Sequence, residues 1–237
     1  MTGYRLVLWD VDHTLIASGG VGGQISEWAF RKVTGERQQH HPDVAGRTER
    51  AIFAETCRLH SLDVDNYRFE DYADALAEGY LQRAAELRER GHALPGAAQA
   101  LDAVAKVPGV RQTVVSGNVR RVAETKLAVF GLDQHIDFDL GGYAEDSEER
   151  ADLVRSAYMR ATTSDDLIYG IGDLLVIGDT PADIEAAHTA GAAALGVATG
   201  RSTVTNLRDA GADAVLADLT LTERVLAMIR DGISSND

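Results

Sequence analysis

Short runs rich in Val, Leu and Ile recur along the chain at 5–9, 111–115, 136–140, 174–177, 193–197 and 214–216. Apolar runs of this length between turn residues predict strands, and strands buried on both faces need not alternate with polar positions. Between the later runs, apolar residues return every three or four positions over 119–130, 147–161, 181–190, 204–210 and 221–229, the spacing of amphipathic helices. Strands alternating with helices of that length predict an α/β fold built on a doubly wound parallel sheet.

The alternation becomes regular only near Pro95. Before it stands a block with helical periodicity, predicted as helices over 24–33, 47–60 and 69–90. In the last of these, Tyr72, Leu76, Tyr80, Leu81 and Leu87 form a stripe that should face a core. Glycines at 19, 20, 22 and 23 open the block, and Gly91, Pro95 and Gly96 close it. Punctuation at both ends of a change in pattern predicts an inserted unit on two hinges. The closing residues 234–237 read as a frayed end.

Composition narrows the possible partners. Among 237 residues the formal net charge is −14, spread rather than blocked into a tail. Such a field argues against a nucleic-acid backbone or an anionic membrane as partner. No run approaches the roughly 18 apolar residues of a membrane span, and the first strand begins without a signal-peptide pattern. Cys57 is the single cysteine, so no intrachain disulfide forms and a reduced, cytoplasmic setting is expected.

Candidate chemistry sits at strand ends. Asp10-Val11-Asp12-His13-Thr14 follows the run 6–9 directly, and two acids one residue apart at a strand's end point the same way. Val176-Ile177-Gly178-Asp179-Thr180-Pro181-Ala182-Asp183 repeats the pattern, again with carboxylates after a strand. In a parallel sheet the C-terminal strand ends share one crevice, so the two groups can converge. Clustered hard oxygen ligands suit Mg²⁺ and phosphate chemistry. Gly172-Asp173 imitates the pair but precedes its strand, which assigns it to the wrong edge. His40-His41-Pro42-Asp43 lacks the spaced partners of a zinc site.

At these residues the chain resembles the haloacid dehalogenase superfamily, in the phosphatase branch that forms an aspartyl phosphate. Val114-Val115-Ser116-Gly117-Asn118 falls in the same order, so the resemblance covers nearly the whole chain. It implies a Rossmann-like core of residues 1–17 and 92–237, with an inserted α-helical cap domain at 18–91. Within the superfamily it points to the helical-cap, phosphoglycolate-phosphatase-like members, and to a monomer or homodimer acting on a small phosphate ester.

The roles implied follow ordinary phosphoryl-transfer chemistry. Asp10 attacks phosphorus and Asp12 serves as general acid and base, a role that crowding by neighbouring acids would assist by raising a carboxylate's pKa. Ser116, Gly117 and Asn118 form a phosphate cradle with the positive end of the following helix. Thr14 steadies the loop. Asp10, the main-chain carbonyl of Asp12, Asp179 and Asp183 hold Mg²⁺, although Asp183 also fits a helix-capping role. Arg47 is a candidate for a second anionic group on the substrate.

Two positions depart from the family pattern. His13 stands where glycine is common, and no lysine begins the helix before the last motif. Arg150 is the nearest cation to that place and is favoured over Lys126 for the phosphate-site charge. The alternatives are a sugar phosphomutase, which shares all the core motifs, and a non-catalytic binding protein that keeps the fold. A phosphonate hydrolase would need a lysine in the cap, where only Lys32 stands. A dehalogenase would lack Asp12.

Overall fold

The computed structural model describes residues 5–164 and 170–233; the tail expected to fray, 234–237, lies outside them. In chain order the strands are β1 (Leu6–Trp9), β2 (Ile16–Ala17), β3 (His92–Ala93), β4 (Arg111–Val114), β5 (Leu174–Gly178), β6 (Ala193–Val197) and β7 (Ala214–Leu216). The helices are α1 (Val21–Thr34), α2 (Glu49–Leu59), α3 (Phe69–Gln82), α4 (Ala84–Arg90) and α5 (Ala97–Val104). They continue with α6 (Arg120–Val129), α7 (Arg150–Ser164), α8 (Pro181–Ala190), α9 (Val204–Asp209) and α10 (Thr222–Asp231).

Five strands form one parallel sheet in the order β4-β1-β5-β6-β7. Both faces are buried, which explains the unbroken apolar run of β1. Val7 and Trp9 pack with Leu101 of α5, Leu127 of α6 and Ile229 of α10, while Leu6 and Leu8 pack with Leu153 of α7, Ile184 of α8 and Leu207 of α9. At about 2 kcal/mol for each fully buried side chain, β1 is secured from both sides. The Trp9 Nε1–H donates to Gln112 Oε1 at 3.1 Å, so the ring's one polar atom is satisfied inside the core.

The chain leaves β1 toward one side and returns to its other side at β5. That reversal opens the crevice beyond the C-terminal ends of β1 and β5, which carry Asp10 and Asp179.

The strand expected at 136–140 is not formed. Phe138–Leu140 is a single 3₁₀ turn, started by Asp137 Oδ1 accepting from the Asp139 amide. The segment still runs beside β4, through Asp137 N to Gln112 O at 3.0 Å and Gly142 N to Val114 O at 3.0 Å. Local side-chain bonding of aspartate to its own backbone wins over the ladder here. Helix α7 begins at Arg150 rather than 147, because Ser147 Oγ turns back to accept from the Glu149 amide. Helix α5, with Ala97, Ala100, Leu101 and Val104 buried, lies in a segment for which no helix was predicted.

Helices α1 to α4 gather around a cluster of their own that includes Ile25, Phe30, Phe53, Cys57, Tyr72, Leu76, Tyr80 and Leu87. Leu81 does not join the stripe and is 59% exposed, since it lies a further 100° around the helix from Tyr80. The helix predicted over 69–90 breaks at Arg83 into α3 and α4. Of the glycines that open the block, only Gly19 and Gly20 take positive φ; Gly22 and Gly23 already belong to α1. Gly22 has no room for a side chain, because a Cβ there would press on the Tyr80 hydroxyl. The two chain passages into and out of the block pair as a short antiparallel ribbon, Ile16 with Ala93 and Ala17 with His92.

Candidate active site

Asp10, Asp12, Ser116, Gly117, Asn118, Arg150, Asp179 and Asp183 line one cavity of about 620 Å³ beyond the strand ends. Ile52, Tyr72, Leu76 and Tyr80 of the helical block form part of its wall. Its size suits a small molecule.

Asp10, at the end of β1, is 6% exposed. Its Oδ1 accepts from Arg150 Nη2 at 3.0 Å, and the Thr14 hydroxyl lies 3.5 Å from its Oδ2. The same guanidinium nitrogen also binds Asp183 Oδ1. Arg150 therefore bridges Asp10 and Asp183, the place expected of it. Asp183 keeps its capping role as well, its Oδ2 accepting from the Thr180 amide at 3.0 Å and the Thr180 hydroxyl at 2.7 Å. One carboxylate thus serves helix and site with different oxygens.

Asp10, Asp179 and Asp183 each offer an oxygen within 4.8 Å of the others. Asp179 is 3% exposed, and no hydrogen bond reaches its carboxylate among the described residues. Gly200 permits the approach, since a Cβ there would overlap the Asp179 carboxylate. Burial, then the charges of Asp10 and Asp183, push the Asp179 carboxyl up to about 8. Burial and Asp183 push Asp10 up to about 7, with Arg150 working against them. A buried carboxylate without donors, beside two more acids, is a donor set that fits a hard divalent cation.

Asp12 behaves differently. Its carboxylate lies outside that trio, with Oδ2 accepting from Lys126 Nζ at 2.6 Å and Asn118 Nδ2 at 2.8 Å. Burial opposes its ionisation, but the Lys126 charge and these bonds outweigh burial and hold Asp12 below the usual carboxylate range. The crowding expected to raise the acid–base residue therefore acts on Asp10 and Asp179 instead. Lys126 is not at the surface, as an ordinary helix lysine would be; it is 3% exposed.

The Ser116–Asn118 segment is tightly tied. Ser116 Oγ accepts from the Asn118 side-chain amide at 2.8 Å, and the Ser116 amide is used by Gly142 O at 3.0 Å. The positive end of α6 is not open to an anion: Glu49 Oε2 accepts from the Val119 amide at 2.6 Å, and Glu145 accepts from the Arg120 amide at 2.9 Å. The Asn118 amide donates to Ser116 Oγ at 3.3 Å, so the expected cradle reduces to the Ser116 hydroxyl and the Gly117 amide. Sequence gave no sign of Glu49, whose partner lies 70 residues away; burial raises its carboxyl to about 8. Gly117 must be glycine, because a Cβ there would overlap the Arg47 carbonyl.

His13 has φ 62, a left-handed conformation costly for a residue with a Cβ. Its amide donates to Ile16 O at 2.7 Å and its carbonyl accepts from the Thr199 hydroxyl at 2.6 Å, bonds that hold the turn. The side chain lines the cavity. Arg47 also lines the cavity, its guanidinium bonded to the carbonyls of Asp43 at 3.4 Å and Ala51 at 3.2 Å. Gly172-Asp173 lies in a turn before β5, away from the site. Cys57 is buried among the α1–α4 side chains. No helix among the described residues is long and apolar enough to cross a membrane.

Comparison with known proteins agrees with this arrangement. A hydrolase from Pseudomonas syringae is similar at 21% identity and a TM-score of 0.66, over 95% of this chain and 99% of that one. A predicted phosphatase from Clostridium acetobutylicum is similar at 18% identity and a TM-score of 0.67, over 95% and 99%. A predicted phosphoglycolate phosphatase from Haemophilus somnus is similar at 18% identity and a TM-score of 0.65, again over 95% and 99%. At these identities the likeness is one of fold. No curated protein sequence matches the chain. The family model for haloacid dehalogenase-like hydrolases matches residues 7–188, most of the chain, and the protein belongs to that family.

Proposed function

We propose that the protein is a Mg²⁺-dependent phosphatase that hydrolyses a small phosphate monoester through phospho-Asp10. The observation that carries this reading is the contact of Arg150 with both Asp10 and Asp183, beside the donor-free Asp179 carboxylate. A nucleophile, a fixed cation and a cation-binding acid trio then face one cavity.

In the first step an Asp10 oxygen attacks phosphorus, the ester P–O bond breaks, and the leaving oxygen takes a proton from Asp12, which gains that proton when the phosphate's negative charge enters the cavity and offsets Lys126. In the second, water attacks the same phosphorus and gives its proton to Asp12, releasing inorganic phosphate and restoring the Asp10 carboxylate. Arg150 and the Ser116 hydroxyl orient the phosphoryl oxygens. Asp10, the Asp12 carbonyl, Asp179 and Asp183 would hold Mg²⁺, which supplies neutralisation of phosphoryl charge. Residues 18–91 act as a cap domain over a core of 1–17 and 92–237, and exclude bulk water in the first step. The single buried cysteine fits a cytoplasmic setting.

Purified protein assayed on a broad panel of phosphate esters should release phosphate with Mg²⁺ and not with chelator, and Asp10→Asn should lose at least about a thousandfold. Inertness of the wild type across the panel would sink the phosphatase reading. Transfer of the phosphoryl group to an added sugar phosphate instead of water would favour a mutase.

A further inference from the structure

Lys126 is a buried cation for which the chemistry above has no use. It projects from the second turn of α6 and is 3% exposed, a rare condition for lysine. It does not touch Asp10 or Asp183, whose charge Arg150 already meets. Its Nζ donates instead to Asp12 Oδ2 at 2.6 Å and to Asn118 Oδ1 at 2.6 Å. Asn118 Nδ2 in turn donates to the same Asp12 oxygen at 2.8 Å, closing a three-membered ring of bonds. The ammonium also lies 5.0 Å from the centroid of the Tyr80 ring, which belongs to the helical block.

We propose that Lys126 is a positioning residue for Asp12, fixing its carboxylate so that Oδ1 alone is presented to the leaving oxygen. Two donors converge on Oδ2, and no bond occupies Oδ1 among the described residues. A carboxylate on a loop would otherwise rotate about its side-chain torsions. Proton transfer requires the donor and acceptor oxygens to be held near hydrogen-bond distance, so lost orientation is lost rate. Because Lys126 grips Asn118 as well, the acid–base residue and the phosphate loop move as one piece. Tyr80 places the helical block on the same ammonium, so the alignment is complete when the block sits as found here.

The assignment rests on the phosphatase reading, and its test separates the two. A role through Asp12 matters most when the leaving oxygen needs a proton. The experiment compares kcat/KM, which reports the step in which that oxygen departs, for an alkyl phosphate and for p-nitrophenyl phosphate, whose leaving group departs unprotonated. Lys126→Met also removes a charge that favours ionised Asp12, so each protein is measured at its own pH optimum; there the alkyl-to-aryl ratio should fall on the order of 30-fold, within the range for general acid catalysis. Lys126→Arg keeps the buried charge but presents its donors from a longer, planar head, so the two bonds cannot both keep the geometry lysine gives them. It should lower the ratio in the same direction by a smaller factor, and it decides the matter if the methionine variant does not fold. A ratio within about threefold of wild type in the folded variants, with both esters slowed alike, would overturn the assignment and leave Lys126 a structural or phosphate-binding group. Wild-type protein inert toward both esters would overturn the phosphatase reading itself, and this assignment with it.

Discussion

Removing one acid from the trio should stabilise the metal-free protein. Asp179 is 3% exposed and its carboxyl is raised from 3.8 to about 8, first by burial and then by Asp10 and Asp183. Below 3.8 the group is protonated folded or unfolded and costs nothing. As pH rises above 3.8 the unfolded chain ionises while the folded one does not, and stability falls until the folded pKa is passed. At about 1.4 kcal/mol per unit, the ceiling on this loss at pH 7.5 is about 5 kcal/mol. Asp10 and Asp183 share the same repulsion, so Asp179→Asn should recover less, about 2 kcal/mol. For a chain of this size that is a rise in Tm of about 4–8 °C. Thermal denaturation followed by circular dichroism in chelator, at pH 5.0 and pH 7.5, measures it. The advantage at pH 5.0 should be about a third of that at pH 7.5, because the window above the unfolded pKa is narrower by that factor. Saturating Mg²⁺ should reverse the order, since a ligand at about 100 times its Kd adds about 2.7 kcal/mol to the wild type and much less to the variant. An Asp179→Asn protein no more stable than wild type in chelator, or an advantage that does not grow with pH, would refute the argument.

Arg150→Met should act in the opposite sense. With Asp10 and Asp183 deprived of the only cation that touches them among the described residues, the folded protein should lose about 3–5 kcal/mol at neutral pH and less at pH 5, as read by urea denaturation in chelator. Equal stability of the two proteins at pH 7.5 would mean that the bridge is incidental. Gly117→Ala should displace the start of α2 from the phosphate loop, because the new methyl overlaps the Arg47 carbonyl. The Glu49 amide, which donates to Gly117 O at 2.7 Å, should then exchange hydrogen at least about tenfold faster than in wild type. Unchanged exchange would show that the loop absorbs the methyl.

What was legible in the sequence is what short-range pattern encodes. Strands β1, β5, β6 and β7 were visible because each is buried on both faces and reads as an apolar run, whereas β4, Arg111-Gln112-Thr113-Val114, was marked by its β-branched residues and the Val115 that follows. Segment 136–140, Ile-Asp-Phe-Asp-Leu, alternates as a strand can but forms a turn, because Asp137 bonds its own backbone two residues on. Leu81 and Tyr80 are adjacent in sequence, and periodicity alone assigned both to the core; only the packing of α1 and α6 against α3 decides which side is inside. In the site, Asp10, Arg150, Asp179 and Asp183 were readable from their places at strand and helix ends. Lys126 was weighed only as second choice for the phosphate-site cation, its bond to Asp12 unseen, and Glu49 was not named at all, because their partners lie 114 and 70 residues away.

The central place of β1 has a consequence in time. This strand emerges first, and its apolar Leu6-Val7-Leu8-Trp9 pairs in register with Arg111–Val114 on one side and Leu174–Ile177 on the other. During synthesis it must wait for more than a hundred residues before the first partner exists, and for the whole of α7 before the second. Over that interval both of its edges are unpaired and fully apolar, the condition in which strands recruit the wrong neighbours. Asp10 and Asp12 follow this strand directly, so their acids are made well before Arg150 and Asp183, which fix their surroundings. A chain interrupted before α7 would carry Asp10 without Arg150, the cation that reaches its carboxylate among the described residues.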